Sequence, residues 1–474
     1  MQDRRTFLQR AGLAAASAAA ACRRGPSFQA LLDRFGTSPA LDEAGAAGSV
    51  PPIPRSLSRL AYGPRTGDVE RVAAVGESAW IEEQLSPAAI SDLAARWRVR
   101  SIETLQLDLP DLFDYARPTV LDDLRRATIL RAVYSQRQLF ERMVEFWTDH
   151  FNIFVGKADC AWLKVVDDRE VIRRHALGNF RDLLRASATS PAMLVYLDGE
   201  ANAAGRPNEN YAREVMELHT LGVDGGYTQR DVMELARALT GWRVRSAFWR
   251  GRVFFEKIRH DPGIKQVLDL RLDSGPQRDL EEILDRLCSH PATARHLAAR
   301  LVRRFVSENP PESLVARVAA AFSASRGGIR QTLSALAHSE EFRQSPPKLR
   351  RPFDFAIATL RAVGASTDGG RAMQDELERM GQLPFGWPTP DGFPDTAAPW
   401  KARLLSRWNF ALDLSGGRIA GTRMDSELGR DPARLASALL RRPLEAAERR
   451  ALALAGSGPE AAAVALCHPQ LQVC

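Results

Sequence analysis

The sequence predicts a mainly α-helical protein, a multi-helix, bundle-like body that carries one small β-hairpin insertion. Three observations predict this fold class. Apolar residues recur at helical spacing through most of the chain after residue 55, and residues typical of helix ends flank those segments. Only residues 248–270 contain the short apolar runs that are typical of strands.

The first 21 residues have the pattern of a twin-arginine signal peptide. The segment DRRTFLQ (3–9) is followed by a short, weakly apolar stretch rich in alanine. This stretch ends in AAAC (19–22), which is either an ordinary small-residue cleavage site or a loose lipobox that would make Cys22 a lipidated N-terminus. We therefore expect export to the periplasm or to a membrane-anchored place in the cell envelope. The only membrane attachment that we expect is a lipid on Cys22.

The rest of the chain divides into three predicted segments. Residues 22–54 are rich in Gly, Pro, Ala and Ser and predict a flexible tether. Residues 55–345 predict the main helical domain, and a Pro-Pro pair at 346–347 separates it from a helical C-terminal part, 346–474, packed on it.

Capping residues and breakers define the helices along these segments. Gly76 splits the first two, Pro191 opens a short one after Ser190, and Thr228 with Asp231 predicts a capping box. The predicted helices are 66–75, 78–85, 122–151, 192–197, 207–221, 229–240, 279–288, 291–306, 313–322, 329–342, 353–363, 371–380 and 398–414, with three more before the C-terminus. Strands are predicted at 252–255 and 266–268. An aromatic, proline-rich loop, 383–400, either lines a groove or caps the core.

Composition and missing motifs exclude several classes of protein. The chain has 65 Lys and Arg against 58 Asp and Glu, and 62 against 57 without the first 21 residues. These charges alternate along helices, so we expect no nucleic-acid partner. Five cysteines without a CxxC pair do not form a zinc site of that kind or a disulfide scaffold. The absence of GxGxxG, Walker and GxSxG motifs argues against nucleotide-dependent and α/β-hydrolase activities.

Four segments contain more polar and aromatic residues than a helical scaffold needs. They are EFWTDHFN (145–152), RHALGNFR (174–181), PNENYAREVMELHTLG (207–222) and the pair YTQRDV (227–232) with ARALTGW (236–242). These runs, with LSRLAYGP (57–64), GQLPF (381–385) and DGFP (391–394), resemble the bacterial domain-of-unknown-function 1800 family over most of the chain. The resemblance implies an exported protein but no reaction and no catalytic residue. Many relatives have a second histidine where this chain has Thr148.

The segment 207–221 has one helical face that is unusually polar. Asn210, Arg213, Glu214 and Glu217 share that face. In a structural interpretation, Arg213 pairs with Glu217 and with Glu209 along the helix. In a functional interpretation, the face belongs to a buried polar centre that takes a divalent metal ion or performs acid–base chemistry. The catalytic candidates are Glu214, Glu217 and His150, and the binding candidates are Asn210, Arg213 and His219.

A second candidate site lies in the predicted hairpin. His260 and Asp261 either form a histidine oriented by a neighbouring carboxylate or simply make a turn before Pro262. Cys160, Cys288 and Cys467 are available for disulfides in an exported protein. Two function classes remain open: a metal-dependent or hydrolytic envelope enzyme acting on an unidentified substrate, and a non-catalytic protein that binds or assembles with an envelope partner.

Overall fold

A computed structural model describes residues 52–247, 249–273, 275–425, 430–456 and 458–474. All of them belong to one compact unit, residues 49–474. The predicted signal peptide, Cys22 and the predicted tether up to residue 51 lie outside the described residues. None of the helices in the described ranges has the length and apolar character needed to cross a membrane.

The predicted fold class is confirmed, because helices make up 61% of the structure and its strands form only small two-stranded sheets. In the first half of the described chain the helices are α1 (Pro52–Arg59), α2 (Asp68–Val75), α3 (Glu77–Leu85), α4 (Leu93–Val99), α5 (Leu109–Leu112), α6 (Arg117–Tyr134), α7 (Gln138–His150), α8 (Cys160–Val166), α9 (Phe180–Ala188), α10 (Pro191–Tyr196), α11 (Glu209–Glu214) and α12 (Gln229–Ala238). Two π-helical segments continue α8 and α11: π1 (Asp167–Arg173) and π2 (Val215–Thr220). Single 3₁₀ turns lie at Pro87–Ala89, Glu103–Leu105, Gly199–Ala201 and Lys257–Arg259.

The second half continues the helical pattern. Its helices are α13 (Pro276–Ser289), α14 (Pro291–Phe305), α15 (Glu312–Ala324), α16 (Ile329–Ala337), α17 (Glu340–Arg343), α18 (Pro352–Ala362), α19 (Arg371–Arg379), α20 (Ala398–Lys401), α21 (Leu404–Ser415), α22 (Pro432–Leu440), α23 (Ala446–Ala455), α24 (Pro459–Leu466) and α25 (Pro469–Gln472).

The predicted hairpin region contains two hairpins instead of one. Strand β1 (Trp242–Val244) pairs antiparallel with β2 (Val253–Phe255), and β3 (Lys265–Val267) pairs antiparallel with β4 (Leu270–Leu272). The predicted strands at 252–255 and 266–268 therefore exist, but each pairs with its own sequence neighbour. A third sheet, β5 (Ser366–Thr367) with β6 (Thr422–Arg423), had no sequence signal.

The predicted long helix 122–151 is wrong, because it is broken between α6 and α7. The Gln138 carboxamide donates to the carbonyls of Ala132 (3.1 Å) and Ser135 (2.9 Å), and Asp92 accepts the Gln136 amide (2.9 Å). These side chains satisfy the backbone groups that a helix end leaves free, so the break is stable.

Among the described residues there are two large hydrophobic cores and a small third cluster of Leu349, Phe393 and Trp400. The first is formed by residues from Leu57 to Phe342. The second joins residues between 95 and 134 to residues between 353 and 467. Helix α6 therefore packs with the C-terminal segment in the second core, whereas α7 packs in the first. The short connection between α6 and α7 passes from one core to the other.

Candidate functional site

The motif helix predicted at 207–221 begins two residues later, at Glu209, and changes its hydrogen-bond pattern halfway. Asn208 caps α11 by accepting the Asn210 amide (3.0 Å), and the Asn210 carboxamide donates to the Leu197 carbonyl (3.2 Å). From Val215 to Thr220 the chain is π-helical. A π-helical turn widens the helix and is often found at functional sites.

Three histidines meet around this π-helical turn. His150 Nε2–H donates to the carbonyl of His219 (3.1 Å), and His296 Nε2–H donates to the carbonyl of Leu218 (3.1 Å). The His150 ring centroid lies 6.1 Å from that of His219 and 6.2 Å from that of His296. The structure therefore brings the sequence candidates His150 and His219 together and adds His296, which no sequence motif had indicated.

These histidines are neutral at pH 7. Burial, followed by the positive charge of Arg300, lowers the pKa of His219 to about 3 and that of His296 to about 4. Burial also holds the pKa of His150 well below its usual value. Because a carbonyl only accepts, the proton of His150 lies on Nε2, and its Nδ1 is a buried acceptor with no partner among the described residues.

Glu214 and Glu217 lie half-buried on the same segment. Neither forms an ion pair or a hydrogen bond with a residue in the described ranges. Burial, and then the charge of Glu217, raises the pKa of Glu214. Arg213 is engaged by Glu209 (3.3 Å) and by the Gln229 carboxamide oxygen (2.8 Å), so of its two expected partners it pairs with Glu209.

The surroundings of Glu214 include Tyr196 and the loop 383–400. Glu214 and the loop residue Asp391 both contribute to the raised pKa of Tyr196, whose main cause is burial. The Tyr196 hydroxyl donates to the Pro388 carbonyl (2.8 Å). Loop residues therefore lie beside the carboxyl pair.

His260 and Asp261 form no hydrogen bond or ion pair with each other. Asp261 pairs with Arg237 (2.8 Å) and accepts the Gly263 amide (2.8 Å), which is the predicted turn before Pro262. His260 Nδ1–H donates to the Thr240 carbonyl (2.9 Å), and its Nε2 accepts from Lys265 (3.2 Å). A carbonyl and a buried lysine, not a carboxylate, orient this histidine.

Metal-binding and disulfide chemistry receive no support from the described residues. Within them, no group of three or more His, Cys, Asp or Glu side chains is arranged to hold a metal ion. Their four cysteines, Cys160, Cys288, Cys467 and Cys474, are free thiols, so the disulfide considered for Cys160, Cys288 and Cys467 does not form.

A large buried ion-pair network adjoins the histidines, and sequence reasoning missed it. Asp149 accepts from Arg304 (2.6 Å) and Arg351 (2.7 Å), and Arg351 also pairs with Glu145. The members of this network are Arg142, Glu145, Asp149, Arg304, Arg351, Asp354 and Asp395. Its partners are up to about two hundred residues apart in the chain. Only the spacing of Glu145 and Asp149 by four residues was a visible signal.

The loop 383–400 both lines a cavity and covers a helix end. Phe385 and Phe393 line a cavity whose polar walls include Glu141, Glu145 and Asp168. Gly392, with φ +76°, crosses the end of α7 so closely that a Cβ there would lie 2.1 Å from the Asp149 carbonyl oxygen. Only glycine fits this crossing.

The fold and these motif-bearing segments define a helical family domain that extends over nearly all of the described chain. The chain belongs to the family described as protein of unknown function DUF1800, whose model matches residues 55–473. No curated protein and no solved structure matches the chain.

Proposed function

We propose that the protein is an exported cell-envelope hydrolase whose acid–base pair is Glu214 and Glu217. One observation supports this proposal above the others: these two half-buried carboxyls form no ion pair and no hydrogen bond with a described residue. Arg213 acts on Glu214 only through its charge, because its guanidinium group is bound to Glu209 and Gln229. Partly buried carboxyls without such partners are costly, and they are common where acid–base chemistry takes place.

A general acid must carry a proton, whereas a general base must be ionised. The pKa of Glu214 is raised by burial and by the charge of Glu217, so Glu214 is the proton donor in this proposal. Glu217 then activates the attacking water. Neighbouring carboxyls commonly divide the two roles in this way.

The three histidines support the site indirectly. His150 and His296 donate to consecutive carbonyls of π2, at His219 and Leu218. These bonds satisfy backbone groups of the π-helical segment and fix the segment that carries Glu217. The histidines are therefore positioning residues in this proposal and not acids or bases.

A specific observation also favours the alternative, a non-catalytic binding or assembly protein. Asn210 and Arg213, two of the sequence candidates, make contacts within the fold, to the Leu197 carbonyl and to Glu209. If Glu214 and Glu217 also make structural contacts, to a bound partner protein, then the polar face of this helix is a structural network.

The decisive experiment assays purified protein with nitrophenyl esters, phosphates and glycosides and with isolated peptidoglycan, with and without Mg²⁺ or Zn²⁺. We expect hydrolysis of one class, reduced about 100-fold or more in both E214Q and E217Q. E209Q is the matched control, because Glu209 lies on the same helix but is bound to Arg213, and its rate should stay within about two-fold. No hydrolysis by the wild type, or equal rates in all variants, would favour the non-catalytic alternative.

Export has its own test. Replacement of Arg4 and Arg5 by Lys should retain the protein in the cytoplasm, and the variant C22S should lose membrane partitioning only if Cys22 is lipidated. Unchanged export of the double lysine variant would contradict the twin-arginine route. Elemental analysis of protein purified from the periplasm shows directly whether a divalent metal ion accompanies it.

A further inference from the structure

A cleft of about 250 Å³ lies on another part of the molecule, between α4, α6, the start of α7 and π1. Its charged lining consists of Arg96, Arg131, Arg137, Arg173, Asp92 and Glu141. Four guanidinium groups therefore face two carboxylates. The proposed hydrolase site does not share any residue with this cleft.

The two carboxylates of the lining are already engaged. Asp92 accepts the Gln136 amide (2.9 Å), and Glu141 pairs with Arg173 (2.5 Å). Glu141 is 9% exposed at its side chain and Arg173 13%, so this ion pair forms the wall of the cleft. The pair balances one arginine, and the Arg137 guanidinium donates to the Ile90 carbonyl (2.9 Å), so Arg96 and Arg131 remain.

Arg131 is largely buried but has only one long ion pair. Its side chain is only 20% exposed, and its nearest carboxylate, Asp168, lies 3.7 Å away and is shared with Arg173 at 3.5 Å. No hydrogen bond from Arg131 reaches a residue of the described ranges. Arg96, on the exposed side, has neither an ion pair nor a hydrogen bond from its side chain to the described residues.

This arrangement has an energetic cost. Burial, and then the charge of Arg173, lowers the pKa of Arg131 to about 10. The charges of Asp168, Glu141 and Asp92 act on Arg131 in the opposite direction. The folded protein thus holds two neighbouring guanidinium groups in a partly desolvated cleft, where these carboxylates offset part of their mutual repulsion. An anion between the two groups would offset more of it.

We propose that this cleft binds a phosphate group. Planar guanidinium groups bind phosphate oxygens through paired hydrogen bonds, and several arginines around one recess fit a doubly charged tetrahedral anion better than a single carboxylate. The volume leaves room for a substituent on the phosphate, so the ligand is a phosphate monoester or the phosphate of a larger envelope molecule. Phe140, whose ring also lines the cleft and lies 5.6 Å from Arg173, offers an apolar wall to that substituent.

The test is titration of the purified chain with inorganic phosphate, by calorimetry and by thermal unfolding, with chloride at matched ionic strength as the reference. We expect saturable binding and a rise of the melting temperature with phosphate alone. The variant R131Q should bind phosphate at least tenfold more weakly than the wild type. Arg174 is the matched control: it lies next to Arg173 but is 68% exposed and bound to Glu170 (3.5 Å), so R174Q should bind like the wild type.

Other outcomes are equally informative. Equal shifts with phosphate and chloride, or equal affinity of R131Q and the wild type, would overturn the proposal. If R131Q does not fold, R96Q replaces an exposed residue and should weaken phosphate binding at least threefold, and unchanged affinity in that variant would also overturn it. Comparison of glycerol phosphate with vesicles of anionic phospholipid then separates a soluble phosphate ester from a lipid headgroup.

Discussion

Two helices of the molecule carry carboxylates on successive turns, and the surroundings of the two carboxylate pairs differ completely. On α7, Asp149 is buried and the Glu145 side chain is only 14% exposed, and both are bound by arginines from α14 and from the start of α18. At the α11–π2 junction, Glu214 and Glu217 are half-buried, and neither forms an ion pair or a hydrogen bond with a described residue. Similar sequence patterns thus give a structural network in one place and a candidate reactive pair in the other. The difference lies in partners that are distant in the sequence.

The network on α7 stabilises the contact between the segment 55–345 and the C-terminal segment. Arg142, Glu145, Asp149 and Arg304 belong to the first, whereas Arg351, Asp354 and Asp395 belong to the second. Buried ion pairs are worth little relative to apolar packing, but loss of one partner leaves a charge without compensation. The network therefore makes the fold sensitive to single substitutions at this contact.

The largest expected effect is that of R351M, which leaves Glu145 and Asp149 short of a cation. The free energy of unfolding should fall by about 3–5 kcal/mol, measured by urea denaturation. The control is R317M, which removes an ion pair to Glu341 whose side chains are 50% and 24% exposed, and it should cost less than about 1 kcal/mol. Equal losses in the two variants would mean that the network is no more important than a surface pair.

The second effect tests the buried histidines beside that network. The pKa of His219 is lowered to about 3 by burial and by Arg300, so the unfolded chain binds its proton first as the pH falls. The contribution of neutral His219 to the free energy of unfolding is complete above about pH 6.5. It is lost toward pH 3, by roughly 1.4 kcal/mol for each pH unit.

The variant H219Q should therefore lose stability less steeply than the wild type between pH 6.5 and pH 4.5, in urea denaturation at each pH. The comparison is with H338Q, because His338 is only partly buried and pairs with Glu82 (2.8 Å) near the surface. A slope for H219Q that equals the wild-type slope would contradict the neutral, buried state of His219.

The sequence was sufficient for features that depend on local physics. The helical class, the Gly76 break and the Thr228–Asp231 capping box all depend on residues within one or two turns, and the structure has each of them. The break between α6 and α7 was missed because Asp92, more than forty residues away, accepts the Gln136 amide. The prediction of a single hairpin was wrong for a similar reason. The two predicted strands have similar lengths, and each had several possible partners.

The candidate site shows the same limit. Spacing alone indicated that Asn210, Arg213, Glu214 and Glu217 share a polar face, and that His150 or His219 joins it. It did not indicate the π-helical turn, which exposes the Leu218 and His219 carbonyls to two histidine side chains. Nor did it indicate that Arg213 would be held by Glu209 and Gln229, because Gln229 belongs to the next helix.

The smallest expected effect concerns the reactive pair itself. In E214Q the free energy of unfolding at pH 7 should be equal to that of the wild type or up to about 0.5 kcal/mol higher, in urea denaturation. The reason is that the pKa of Glu214 is raised in the folded state. Such a carboxyl contributes most to stability below its ordinary pKa, and this contribution is lost as the pH rises through the folded value.

The matched variant E209Q should change stability in the opposite direction. Glu209 is bound to Arg213 at 3.3 Å, with side chains 33% and 40% exposed, so its loss should cost up to about 0.5 kcal/mol. A carboxyl with a structural role stabilises the protein when it is ionised, whereas a carboxyl with a catalytic role does not. If E214Q instead loses as much stability as E209Q, Glu214 has a partner that stabilises its charge, and the contrast between the helix α7 network and the Glu214–Glu217 pair disappears.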